Sequence, residues 1–155
     1  MTPYSIDKYA SERYTIDYGR LYNIPTVAVR LFNVYGPRQN PNSEYSGVLS
    51  IVTKCLKENK PFTLYGDGSQ TRDFVYVEDV VNALIKISTE TNEPTMYNIA
   101  NGDETSLIDV IHTYEEIAGI KLNIIKKEAR QGDINKSRAD VSKLKASLNG
   151  HCMIV

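Results

Sequence analysis

Thr26-Val27-Ala28-Val29-Arg30-Leu31-Phe32-Asn33-Val34 is a near-continuous apolar run, entered behind Pro25 and closed by Gly36-Pro37. A strand with one wet face alternates apolar and polar residues. An unbroken run rich in β-branched side chains is instead the pattern of a strand covered on both faces, as in a parallel sheet. Upstream, Ser5 to Leu21 reads as a helix, with no proline inside it and with Gly19 expected to fray its end. Downstream, Val48, Ile51, Val52, Cys55 and Leu56 fall at i, i+3, i+4, i+7 and i+8, one helical stripe. Pro61 to Tyr65 and Phe74 to Val77 read as short strands, the first stopped by Gly66-Asp67-Gly68. Asp79 is expected to cap a helix from Val80 to about Ser88. Met96 to Ala100 reads as a strand. Leu107, Val110, Ile111, Tyr114, Ile117 and Ala118 form the clearest helical stripe, capped by Thr105 or Ser106 and closed by Gly119. Lys121 to Ile125 reads as a strand and Ser142 to about Leu148 as a short helix. Helices alternate with short strands, so the fold class is α/β.

Composition narrows the function classes. The chain has 155 residues, 41% hydrophobic and 24% charged, which excludes disorder and collagen. Eighteen Lys and Arg against nineteen Asp and Glu give no global pull toward nucleic acid or anionic lipid. That balance is locally uneven: Glu78 to Glu116 holds nine acidic residues and one basic, Lys121 to Lys145 eight basic and three acidic. Few aromatics interleave with those bases, so no nucleic-acid stacking surface is expected, and no apolar run suits a membrane. The N-terminus lacks the basic start and apolar stretch of a signal peptide, so a cytoplasmic location is expected. Cys55 and Cys152 form no CxxC pair, and Cys55 reads as a reduced core thiol. His112 and His151 are isolated, so no metal site is expected. No two of the nine glycines stand three apart, so neither GxGxxG nor GxxGxxG can be written.

Tyr4 and Lys8 stand four apart, on one face of the first helix. A phenol is a poor base near neutrality because its reference pKa is about 10. A neighbouring ammonium favours the phenolate, so such a pair can serve as an acid/base. Arg72 and Arg130 each follow loop glycines, where a guanidinium can turn into a cleft and offer its planar fork to phosphate oxygens. The competing reading for Arg72 is an internal ion pair with Asp73 or Asp79. Asn33 stands at the end of a strand, where open α/β sheets place ligand groups. Glu115-Glu116 reads as a solvated helix face, and the Tyr114 stripe as core.

Five blocks in order carry a resemblance: Pro3-Tyr4-Ser5-Ile6-Asp7-Lys8, Arg30-Leu31-Phe32-Asn33-Val34-Tyr35-Gly36-Pro37-Arg38, Tyr65-Gly66-Asp67-Gly68 running to Arg72-Asp73-Phe74 and Glu78-Asp79, Tyr97-Asn98-Ile99-Ala100-Asn101-Gly102, and Arg130-Gln131-Gly132-Asp133-Ile134. Together they cover Pro3 to about Leu148 and resemble the extended short-chain dehydrogenase/reductase family. Within it they look like the NAD-dependent nucleotide-sugar epimerases and dehydratases. The wording is closest to UDP-glucose or UDP-N-acetylglucosamine 4-epimerases, Tyr45-Ser46-Gly47-Val48-Leu49-Ser50 included.

The resemblance implies a fold and a set of roles. The fold would be the C-terminal part of a Rossmann-like doubly wound sheet plus a small α/β substrate-binding lobe. Residues 1–35 and 73–101 would form part of the NAD-binding domain, 36–72 and 102–148 the nucleotide-sugar lobe, and 149–155 an atypical tail. Tyr4 would take the proton from the sugar 4-hydroxyl, and Lys8 would hold the nicotinamide ribose and favour the Tyr4 phenolate. Leu31 and Phe32 would lie near the nicotinamide. Asn33 would donate to the substrate pyrophosphate, and Gly47 and Val48 would pack near the nucleotide. Thr63 and Tyr65 would line the uracil pocket, Arg72 and Arg130 would clamp phosphates, and Asp133 would accept from a substrate hydroxyl. The partners implied are a UDP-sugar, a complementing N-terminal Rossmann half and, through the helix bearing Tyr9 and Tyr14, a second copy of the chain.

In this resemblance the family's glycine-rich loop and catalytic Ser or Thr would precede residue 1. Two expectations follow. The chain is a catalytic and substrate half without turnover of its own, with a UDP-sugar-binding module or a remnant as the alternatives. The open faces of the Thr26–Val34 strand would make it poorly soluble or partly ordered, and a sharp cooperative melt with low dye binding would overturn this.

Overall fold

A computed structural model describes residues 3–43 and 46–147. Tyr45 and the tail 149–155, with His151 and Cys152, lie outside the described residues. The element order is α1 (Pro3–Tyr22), β1 (Val27–Leu31), β2 (Asn33–Tyr35), α2 (Val48–Glu58), β3 (Phe62–Tyr65), β4 (Thr71–Arg72), β5 (Phe74–Tyr76), α3 (Val77–Glu90), β6 (Thr95–Ile99), β7 (Thr105–Ser106), α4 (Leu107–Ala118), β8 (Ile124–Lys127) and α5 (Ser142–Ser147). The architecture is α/β with mostly parallel pairing: β1 with β6, β2 with β5 and β3 with β8 are parallel, and β4 with β7 antiparallel.

The apolar run at 26–34 is not one strand. It breaks at Phe32, whose N–H donates to the Ile99 carbonyl while Asn33 N–H passes to the Asp73 carbonyl. The chain thereby changes partner from β6 to β5, and hydrophobicity alone carries no trace of that change. The two-faced cover is also incomplete: Ala28 is buried, but Arg30 and Leu31 are exposed.

Two main apolar clusters organise the rest. In the first, α3 lays Val80, Ala83 and Ile87 against Val75, Tyr97 and Ile99, with Val27, Val29 and Val34 at its border. Leu144 of α5 seals this cluster at 1% exposure. In the second, Val52 and Leu56 of α2 and Ile111 of α4 close over Phe62, Leu64 and Leu122. Truncating a fully buried leucine or isoleucine in either costs about 2–5 kcal/mol.

Four further local readings change. Gly19 does not fray α1: it is buried, and a Cβ there would stand 2.1 Å from Thr26 Oγ1 and 2.8 Å from Pro94 Cγ. It is a close-approach glycine, and α1 ends at Tyr22, just before Asn23, whose φ of 54° is left-handed. Asp79 lies in the first turn of α3, two residues past its start, and Tyr76 holds the cap position without a side-chain bond. Glu115 is no solvated residue: it is buried, accepts from Leu122 N–H at 2.9 Å and from Lys121 Nζ at 2.6 Å, and so holds the turn into β8. Cys55 is only partly buried, its thiol donating to the Pro61 carbonyl at 3.6 Å. The α4 caps stand as read, with Ser106 Oγ accepting from Asp109 N–H and Gly119 left-handed at φ 67°.

Candidate active site

Asp73 holds the centre of the molecule. Its carboxylate is 0% exposed and accepts three backbone N–H bonds, from Asn101 at 2.9 Å and from Gly102 and Ala139 at 3.1 Å. Its carbonyl accepts from both the backbone and the side-chain amide of Asn33, each at 3.1 Å. A buried carboxylate is tolerated when its oxygens are saturated with donors. Here the donors come from two separate segments, the Asn101-Gly102 turn and the chain at Ala139, so Asp73 ties both to β2. It is not the ion-pair partner of Arg72. Arg72 instead points across the chain: Nη2 meets Asp133 Oδ1 at 2.7 Å, and Nη1 donates to the Ile134 carbonyl at 2.5 Å.

That arrangement closes one side of a cleft of about 510 Å³ at the mouth of the second cluster. Val48, Thr63, Tyr65, Arg72, Arg130 and Asp133 all line it, so six of the eight residues expected to hold the nucleotide sugar converge there. The volume suits a ligand of nucleotide size. Tyr65 lies at the end of β3, and the Arg130 guanidinium lies over its ring, 3.9 Å from the centroid. This contact is close enough for a substantial cation–π attraction. The Arg130 charge and its bond to the hydroxyl hold the Tyr65 phenol below its ordinary range. Gly47 is the cap residue of α2, between Ser46 and Val48, which both line the cleft. Val48 thus opens α2 on this cleft, and a helix start is a setting that suits anions. Asn33 does not line the cleft itself. Its register partner Phe74 does, and one N–H of its amide is spent on Asp73, leaving the second.

A second, more open groove of about 760 Å³ runs between α1 and β1. Tyr4, Lys8 and Leu31 line it, with Lys8 Nζ 5.4 Å from the centre of the Tyr4 ring. Tyr4 is 66% exposed and Leu31 50%. Phe32 is not on this groove: its side chain packs against Ala100, Ala139 and Val141.

The sequence reading missed three contributors. Glu12, eight residues after Tyr4 and so on the same helical face, meets Arg30 of β1 through two bonds of 2.5 and 2.8 Å inside the groove. Helical spacing could have found Glu12. Gln70 and Cys55 line the nucleotide-sized cleft. Their placement depends on the β3–β4 turn and on which face α2 buries, and no local pattern reports either. Among the described residues no group of three or more His, Cys, Asp or Glu is placed to hold a metal ion. No helix among them is long and apolar enough to cross a membrane.

Residues 1–100 match the family described as NAD dependent epimerase/dehydratase. The UDP-glucose 4-epimerase of Mycolicibacterium smegmatis is 34% identical over 139 residues, which cover 90% of this chain and 44% of that protein. The crystal structure of the Thermotoga maritima UDP-glucose 4-epimerase with UDP-glucose superposes with a TM-score of 0.88 at 36% identity, over 94% of this chain and 47% of that one. The Thermus thermophilus UDP-glucose 4-epimerase in complex with NAD gives 0.85 at 34% identity, with the same shares. The chain thus spans about half the length of the relatives it matches.

Proposed function

The chain belongs to the NAD dependent epimerase/dehydratase family, and on that premise we propose that it is the substrate-binding and proton-transfer half of an NAD-dependent UDP-sugar 4-epimerase. The observation that carries this reading is the convergence of Thr63, Tyr65, Arg72, Arg130 and Asp133 on one cleft. A nucleoside diphosphate needs a flat face for its base and guanidinium groups for its phosphates, and Tyr65, Arg72 and Arg130 supply both. Asp133 accepts from a ligand hydroxyl, Asn33 donates its remaining N–H to the diphosphate, and Gly47 and Val48 pack against the nucleotide.

The residues present fit the nicotinamide end of NAD: Tyr4 and Lys8 stand on one wall of the α1 groove and the exposed Leu31 end of β1 on the other. They supply no glycine-rich cradle for its pyrophosphate, because these 155 residues contain none. Bound NAD would supply hydride acceptance and return at the sugar C4. Tyr4 takes the proton of the 4-hydroxyl through its phenolic oxygen and gives it back after the flat 4-keto sugar has turned over. Lys8 holds the ribose hydroxyls, with its ammonium 5.4 Å from the centre of the Tyr4 ring. Residues 1–35 and 73–101 form the dinucleotide side and 36–72 and 102–148 the sugar side, with α5 packed against the former. We place the protein in the cytoplasm, as a homodimer joined along α1, where Tyr14, Tyr18 and Tyr22 form an exposed ladder. Sedimentation of a stable monomer at micromolar concentration would count against that dimer.

Calorimetric titration with UDP tests the cleft, and saturable binding is expected. Turnover is expected when a glycine-rich Rossmann segment is supplied together with NAD and UDP-glucose or UDP-N-acetylglucosamine. The tied side chains of the cleft also support one second reading, a UDP-sugar-binding module. UDP binding with no turnover after complementation selects it, and silence at millimolar UDP rejects both.

A further inference from the structure

We propose that the face of α2 turned away from the nucleotide-sugar cleft forms a second anion site, which takes a ligand bearing two or more linked phosphoryl groups. A cleft of about 410 Å³ lies there, between α2, the loop that follows β2 and the Tyr114 side chain of α4. It is separate from the first. Val48, Ile51 and Cys55 of α2 face the nucleotide-sugar cleft, while Ser50, Lys54 and Lys57 face this one.

Its charge is one-sided. Arg38, Lys54 and Lys57 line it, and Glu58 is the one carboxylate among the described lining residues. Glu58 is paired with Lys60 at 2.7 Å, so its one charge is shared between that ammonium and the cluster and leaves the lining net positive. Lys54 donates to the side-chain oxygen of Asn42, a neutral partner that orients the ammonium without an ion pair. Arg38 is held with a left-handed backbone, φ 68°, an uncommon state for a residue with a side chain. Three like charges around one concavity repel each other unless an anion joins them, and low-dielectric walls strengthen the field they focus. Tyr35 forms part of the wall. Burial first, then the Asp79 carboxylate, pushes its phenol above the ordinary range, so it remains a hydroxyl donor at neutral pH. Lys54 and Lys57 stand within one turn of each other on α2 and Arg38 on the facing loop, so the cations approach the cleft from two elements, an arrangement that a chain of linked phosphoryl groups can bridge.

The site is connected to the first. Tyr35 ends the three-residue strand that begins at Asn33, and α2 is the wall common to both clefts. Occupation of one therefore bears on elements that form the other.

The test is calorimetry of the 155-residue chain with inorganic tripolyphosphate, at about 0.1 M salt where screening extends over about 10 Å. UDP is held at saturation throughout, which separates this site from the nucleotide-sugar cleft. Saturable binding is expected, weakened about tenfold or more in Lys54→Gln/Lys57→Gln. The exposed-strand control Lys126→Gln/Lys127→Gln, which removes the same charge, should stay within about twofold of the parent. No saturable binding up to millimolar ligand, no loss in the first double variant, or equal loss in both would overturn the proposal. A parallel titration with ATP identifies the source: tighter binding than tripolyphosphate marks a nucleotide, equal binding an inorganic chain.

Discussion

The nucleotide-sized cleft and the α1 groove are built in opposite ways. In the cleft the candidate side chains are tied to each other: Arg72 to Asp133 and to the Ile134 carbonyl, Arg130 to the face of Tyr65. In the groove, Tyr4 is two-thirds exposed on a helix that buries only Ile16 and Gly19. The contrast teaches where preorganisation comes from. Both walls of the cleft are drawn from the second cluster and the loop that crosses it, so packing fixes the ligand groups before any ligand arrives. The groove has one helix and one strand, held at the far end by the Gly19 approach and the Thr26–Thr15 bond and at the Tyr4 end by the Glu12–Arg30 pair.

The largest test of this contrast is at its centre. Asp73→Ala strips the acceptor from three buried N–H groups at once and is expected to cost on the order of 3–5 kcal/mol in denaturant melts. A loss below about 1 kcal/mol would show that the segments are held by other means. Next comes ligand affinity. Arg130→Ala should weaken UDP about tenfold, near 1.4 kcal/mol, while Tyr4→Phe leaves UDP affinity within about twofold. Equal effects would erase the division between the two sites. A smaller, spectroscopic effect follows from the Arg130–Tyr65 contact. Because that guanidinium lowers the Tyr65 phenol, Arg130→Ala should return one tyrosine ionisation to higher pH in an ultraviolet titration.

The smallest effect lies at the base of the second cluster. The ammonium of Lys121, then Leu122 N–H, hold the Glu115 carboxyl below its usual range. A carboxyl depressed by folding contributes fully above its unfolded value, near 4.5, and that contribution is lost as pH falls through the folded value. Glu115→Gln should therefore lose less stability than the parent between about pH 6 and pH 3. A parallel decline of the two would remove Glu115 from the acid response.

Much of the fold was legible because short-range rules govern it. The stripe from Leu107 to Ala118, the Ser106 cap and the left-handed Gly119 all follow from spacing and local backbone preference. The β8 strand was placed three residues early, because the chain after Gly119 first passes through the Glu115 contact before it pairs with β3. β4 and β7 went unseen: two-residue strands carry no periodicity, and their partners lie over thirty residues apart. The candidate site was legible through motif resemblance rather than pattern, since the residues lining the cleft are scattered from Ser46 to Asp133.

By itself the sequence determined the α/β class, the positions of the helices, the pairing of Tyr4 and Lys8 on one helical face and the identity of the charged groups. Each of these depends on residues within about two turns of one another. Only the tertiary structure decided that the 26–34 run changes partner at Phe32, that Gly19 is a contact and Glu115 a cap, and that Arg72 meets Asp133 rather than Asp73. Those outcomes turn on which distant donors reach a buried carbonyl or carboxylate first. That competition is settled by packing the whole chain, and no window of sequence contains both competitors.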